Sequence, residues 1–167
     1  MINKDMCSLL GEVSIYFATI EHRLIDHLAY LLTKSDETLV SPYVLDRLPI
    51  YQLIKKIQSV AELRLSEYPK LFEELKEVLK TIEDLRQQRN LFIHGDWFTE
   101  ELKENSKYVT VLDYKPKLDK DTKVWEYMNV KKVSHKELEE MLAKVKDAYE
   151  QLIIVCKKIW EGEVKLR

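Results

Sequence analysis

The stretch Leu85-Arg86-Gln87-Gln88-Arg89-Asn90-Leu91-Phe92-Ile93-His94-Gly95 gathers the residues of this chain best suited to chemistry. An apolar stripe at 71, 75, 78, 82 and 85 continues by four onto Arg89 and then by three onto Phe92. A helix here carries an arginine on its apolar seam, and a buried charge without a partner is very costly. Asn90 and His94 lie four apart, about 40° around a helix, and share a face. Arg89 and His94 lie five apart, about 140°, so one helix does not aim both at one small target. A second copy of the helix could supply the missing half. His94 sits in the last turn before Gly95, beside the negative end of the helix dipole, which suits donating a proton or binding phosphate. The competing reading is structural: Arg89 pairs with a carboxylate such as Glu21, and His94 only caps the helix; in a working site the same Glu21 would pair with Arg89 to orient its fork.

Other clusters are weaker. His22 and Asp26, four apart, could ligate a metal, but two ligands alone read as a solvated face. His27 and His135 stand alone and read as surface residues. The pairs Glu73-Glu74 and Glu139-Glu140 read as exposed helix faces. Between 107 and 132, seven Lys face three Asp and one Glu, interleaved with Tyr108, Tyr114, Trp125 and Tyr127. Lysines with aromatic platforms suit single-stranded RNA, and Lys115, Lys117, Trp125 and Tyr127 are the candidate contacts. Lysines that protect an exposed hairpin edge from aggregation are the alternative.

The run Arg89-Asn90-Leu91-Phe92-Ile93-His94 resembles the Arg-polar-x-x-x-His signature of the HEPN superfamily of nucleotide-binding domains. The resemblance implies a four-helix bundle with the motif late on its third long helix. It also implies a metal-independent endoribonuclease without cofactor, of the kind found in toxin–antitoxin, abortive-infection and RNA-targeting CRISPR systems. Arg89 and His94 would be catalytic with Asn90 assisting, in a homodimer whose two motifs form one composite site through the third helix. RNA brings its own nucleophile, the 2′-hydroxyl, so the protein needs only an acid–base group and a cation for the phosphorane charge. The chain departs from the transferase-paired toxins of the superfamily, because Gly95-Asp96-Trp97 stands where they carry a tyrosine beside the motif histidine. An antitoxin or defence-system partner of another kind is compatible with the motif. Two other classes stay open: a HEPN-like module that binds RNA or protein without cutting, and a plain helical interaction protein with Arg89 as a structural ion.

Four helices and a hairpin must position these residues. The first helix spans 5 to 33 on Met6, Leu10, Val13, Phe17, Ile20, Leu24, Leu28 and Leu31. A short turn follows at 42 to 48, and a second helix runs from 50 to 66. The third covers 69 to 94, opened by Pro69 and stopped by Gly95. Tyr108 to Tyr114 and Val124 to Val133 read as a β-hairpin. Ser134 and Glu137 form a capping box for a last helix, which runs to about 160. The fold expected is mostly all-α: one domain over 1–167, a four-helix up-down bundle with a small β-hairpin before the last helix. That order would set Cys7 near Cys156 on antiparallel neighbours.

The composition agrees with this. The 167 residues are 46% hydrophobic and 34% charged, with 3 Gly and 4 Pro, too few for a sandwich or a Gly-rich nucleotide fold. A net charge of -2 excludes a global basic surface, so RNA contact must be local. Two cysteines without a C-x-x-C motif give neither a disulfide framework nor a zinc site. No signal peptide and no membrane span are expected, and the cytoplasm is the compartment this pattern suggests.

Overall fold

A computed structural model describes residues 4–33, 48–98, 108–113, 117–118, 121, 125–126 and 129–161. The fold is mostly helical, with four helices among the described residues and a small antiparallel sheet before the last of them. In chain order these are α1 (Lys4–Thr33), α2 (Ile50–Arg64), α3 (Pro69–His94) and α4 (His135–Trp160). The strands are β1 (Asp96–Phe98), β2 (Tyr108–Asp113), β3 (Lys117–Leu118), β4 (Trp125–Glu126) and β5 (Asn129–Ser134). The turn expected at 42 to 48 lies, but for Leu48, outside the described residues. Two compact units divide the chain: Ile15–Asp84 with Val145–Arg167, and Met1–Ser14 with Leu85–Lys144.

In the first, helical unit most of the expected stripe positions are buried. Val60, Leu71, Val78 and Tyr149 are half-buried, and on α3 Leu79 takes the buried place expected for Val78. Ile20, Leu24, Leu28, Leu53, Ile57 and Leu75 are each at most 1% exposed. At about 2 kcal/mol per buried aliphatic side chain, such residues outweigh every surface ion pair, worth about 0–1 kcal/mol each. Pro49 starts α2, its carbonyl accepting from the N–H groups of Gln52 and Leu53 at 2.8 and 3.1 Å. Its end lies two residues earlier than the spacing suggests, and there Arg64 donates from Nε to the Leu31 carbonyl at 3.0 Å and from Nη2 to that of Leu32 at 3.2 Å. A cation thus closes the carbonyl end of α1.

Helix direction differs from the alternating order. The Tyr16 and Tyr149 rings meet edge-on at 6.1 Å, and the Tyr30 and Trp160 rings lie 5.7 Å apart. Both residue numbers rise together, so α1 and α4 run side by side in the same direction. A strictly alternating bundle would oppose them. Cys156 accordingly lies level with Arg23 and Asp26, whose charges it feels, while Cys7 belongs to the other unit. Both thiols are free; Cys7 is exposed and Cys156 buried, with desolvation pushing its pKa up to about 12. Alternation does hold for α3 and α4, since Lys158 near the end of α4 pairs with Glu74 near the start of α3.

A second correction concerns His27, expected at the surface and found 0% exposed. The parallel neighbour explains it: the Trp160 ring packs at 6.1 Å and its indole N–H donates to Nδ1 at 3.1 Å. Burial lowers the His27 pKa to about 4. An indole only donates, so His27 is neutral and carries its proton on Nε2, a buried nitrogen with no partner among the described residues.

In the second, sheet-bearing unit the order of strands is β1-β2-β5, all antiparallel. β2 and β5 pair from Tyr108↔Ser134 to Asp113↔Asn129, a hairpin where one is expected, although its second strand starts at Asn129 and not at Val124. β1 adds a third strand that the sequence reading missed, in register Asp96↔Leu112, Trp97↔Val111 and Phe98↔Thr110. Trp125 pairs with Leu118 in a separate two-residue ladder, β3 with β4. Val109, Val111 and Val133 turn to the buried face, as the period of two requires. The capping box forms: the Ser134 N–H donates to Glu137 Oε2 at 2.8 Å and the Glu137 N–H donates to Ser134 Oγ at 3.2 Å.

Candidate functional site

The last two turns of α3 belong to the sheet-bearing unit, and three features hold them. First, Gly95 lets the chain leave the helix at once for β1. A Cβ at this position would stand 2.5 Å from the Leu91 carbonyl oxygen and 2.5 Å from Val111 Cγ1. Only glycine fits so close to β2. Second, the Trp97 indole N–H donates to the Phe92 carbonyl at 2.7 Å. The carbonyls of a final helical turn have no partner within the helix, so an indole from β1 completes one of them. Third, the Phe92 ring packs against Trp97 at 6.1 Å and has Lys131 Nζ of β5 5.0 Å from its centre. A cation there also faces the negative end of the helix.

Arg89 and Asn90 ride on this clamped end. Both are half-buried, and Arg89 Nη1 donates to Asn90 Oδ1 at 3.2 Å. Arg89 Nε is buried and has no hydrogen-bond partner among the described residues. A guanidinium offers five N–H donors, so a buried one left open costs stability unless something anionic arrives to take it. His94 closes the helix and is exposed. The spacing argument is therefore visible in burial: Arg89 leans into the fold while His94 faces water. Chemically this is an anchored cation, an amide fixed to it, and an accessible imidazole on one short helical segment.

The remaining candidates scatter. Glu21 is half-buried in α1 between the buried Ile20 and Leu24, in the helical unit. Lys115 and Tyr127 lie outside the described residues. Lys117 and Trp125 lie on β3 and β4, with Lys117 opposite Glu126 in backbone register. Asp26 is shared between His22 at 3.7 Å and Arg23 at 3.6 Å. No group of three His, Cys, Asp or Glu able to hold a metal occurs among the described residues. His135 is half-buried beside Glu139 at 3.5 Å. The acidic pairs are exposed as expected, Glu73 bound to Lys76 at 2.9 Å and Glu140 to Lys136 at 3.6 Å.

Two positioning residues escaped the sequence reading, Trp97 and Lys131. The Gly-Asp-Trp run after the motif was the available signal for Trp97: a glycine stop followed at once by a donor-bearing aromatic. Lys131 gave no signal, because its role depends on the register of β5. No described helix is long and apolar enough to cross a membrane. No family model, no curated protein and no solved structure matches the chain.

Proposed function

We propose that the chain is a HEPN-type endoribonuclease that cleaves single-stranded RNA without a metal, as a homodimer, in a defence or toxin role. One observation carries the reading: a half-buried Arg89 whose Nε–H has no partner among the described residues, tied to Asn90 and five residues before an exposed His94. The ribose 2′-oxygen attacks the adjacent phosphorus, the bond to the 5′-oxygen breaks, and that oxygen leaves with a proton. Imidazole suits the proton transfers, and the planar guanidinium suits the charge that builds on the phosphoryl oxygens. Because Arg89 and His94 diverge by about 140° on one helix, two copies of α3 around a two-fold axis supply both groups to one phosphate.

The test is incubation of the purified protein with single-stranded RNA in EDTA, beside Arg89→Ala and His94→Ala. The expected products carry a 2′,3′-cyclic phosphate or its hydrolysis product, and both variants are inactive while keeping the helical circular-dichroism signal. Dependence on Mg²⁺, or equal cutting of the 2′-deoxy substrate, would remove this chemistry. A monomer at micromolar concentration with full activity would remove the composite site. Tight binding of RNA without cutting would leave the non-catalytic module in its place.

A further inference from the structure

The outward face of the small sheet carries a pattern that packing alone does not call for. Antiparallel register lays Phe98, Thr110 and Lys132 in one row across β1, β2 and β5, and Tyr108 with Ser134 in the next. Side chains alternate along a strand, and Val109, Val111 and Val133 already fill the buried face. Phe98 is 47% exposed and Tyr108 55% exposed, and Lys132 is exposed as well. Phe98 and Tyr108 are diagonal neighbours across a strand pair, about 7–8 Å apart at their backbones. Lys132 is two strands from Phe98, about 10 Å away, and diagonal to Tyr108. Two exposed aromatic side chains and one exposed cation therefore share one side of the sheet.

We infer that this face is a base-stacking platform for single-stranded RNA; the choice of RNA rests on the ribonuclease reading above. Every base has a π-face, so two exposed rings accept bases of any sequence, while the ammonium takes a phosphate. Charge gives the strand a direction. Asp96 lies on the same face but on β1, the edge opposite Lys132, so the phosphates track along β5 and the bases reach inward over Phe98 and Tyr108. Val130, 52% exposed in the row with Asp96 and Leu112, extends the apolar surface beneath them. Phe98 is four residues beyond His94, at most about 14 Å of chain. RNA held on the platform thus presents its neighbouring nucleotides to the end of α3, and the platform would set where along a strand the site engages.

The experiment measures binding of a short fluorescein-labelled 2′-O-methyl oligouridylate, which cannot be cut by 2′-oxygen attack, to the full chain by fluorescence polarisation in EDTA. Phe98→Ala and Tyr108→Ala are each expected to weaken binding by about fivefold to a hundredfold. Phe98→Trp and Tyr108→Phe keep the affinity, because they keep the stacking face. Lys132→Ala flattens the slope of log affinity against log salt by about 0.7. Unchanged melting curves show that the variants fold. Parent-like binding by the two alanine variants overturns the platform. So does equal loss on the aromatic swaps, or an effect on sedimentation without one on RNA affinity, which would make the face a contact between copies of the chain. The two readings fail separately. Normal binding by the platform variants with His94-dependent cutting of ordinary RNA removes the platform alone, whereas weakened binding with no cutting by the parent removes the ribonuclease alone.

Discussion

His27 gives the sharpest stability prediction. Its ordinary pKa of 6.5 applies to the unfolded chain, while burial holds it at about 4 in the folded one. Between these values the unfolded state binds a proton and the folded state does not, so stability rises with pH across that window and falls as the solution is acidified. Above about 6.5 the contribution is fully present, and below about 4 it is gone. The gap is worth about 3 kcal/mol at about 1.4 kcal/mol per pH unit. Against a typical total of about 5–15 kcal/mol this is a large share. The assay is urea unfolding at a series of pH values from 7.5 to about 4, followed by tryptophan fluorescence, on the parent and on His27→Phe. The variant leaves the Trp160 indole N–H without its acceptor, costing about 1–2 kcal/mol near pH 7. It also removes the unpartnered Nε2 and the titration itself. Carboxylates titrate in both proteins and cancel in the difference. The parent should therefore lose about 3 kcal/mol more than the variant on acidification. Parallel curves for the two proteins would refute the reasoning.

Two further substitutions probe the parts that hold the motif, and a third probes the start of α4. Gly95→Ala places a methyl 2.5 Å from the Leu91 carbonyl oxygen and Val111; thermal melting should show a loss of about 1–3 kcal/mol, with RNA cutting lost beyond what unfolding explains. Trp97→Phe keeps the ring and removes the 2.7 Å bond to the Phe92 carbonyl; chemical denaturation should show a loss of about 1–2 kcal/mol. Ser134→Ala breaks the capping box at the start of α4; it should cost about 1 kcal/mol by the same measurement.

Helix positions were readable because each rests on local chemistry. Pro69 and Gly95 bracket α3, and Ser134 with Glu137 opens α4, all through contacts spanning a few residues. The hairpin of β2 and β5 was readable from its β-branched and aromatic runs. β1 was not, since three residues after a helix stop carry too little pattern, and its existence depends on the fit of Gly95 against β2. Helix direction was equally hidden. The same apolar stripes serve parallel and antiparallel neighbours, and only the meeting of Tyr16 with Tyr149 and of Tyr30 with Trp160 decides between them. His27 followed from that error, because a lone histidine looks solvated until a tryptophan from a helix far along the chain covers it. In the candidate site, the geometric divergence of Arg89 and His94 was legible from the helical period alone. The bond between Arg89 and Asn90 and the clamp around Phe92 were not, because they depend on rotamers and on strand register.

The clamp around Phe92 has a consequence in time. Trp97 lies five residues past the ring it covers, but Lys131 lies 39 residues past it. The closure of the loop ending at β5 must therefore precede the finished form of the helix end. Synthesis proceeds at about 5–20 residues per second, so a growing chain that already contains Arg89 and His94 waits roughly two to eight seconds for Lys131 to be made. A nascent or truncated chain that stops before β5 carries the whole motif on a helix end that half its support has not reached. The helix end that carries Arg89 and His94 is thus finished only after β5 has been made.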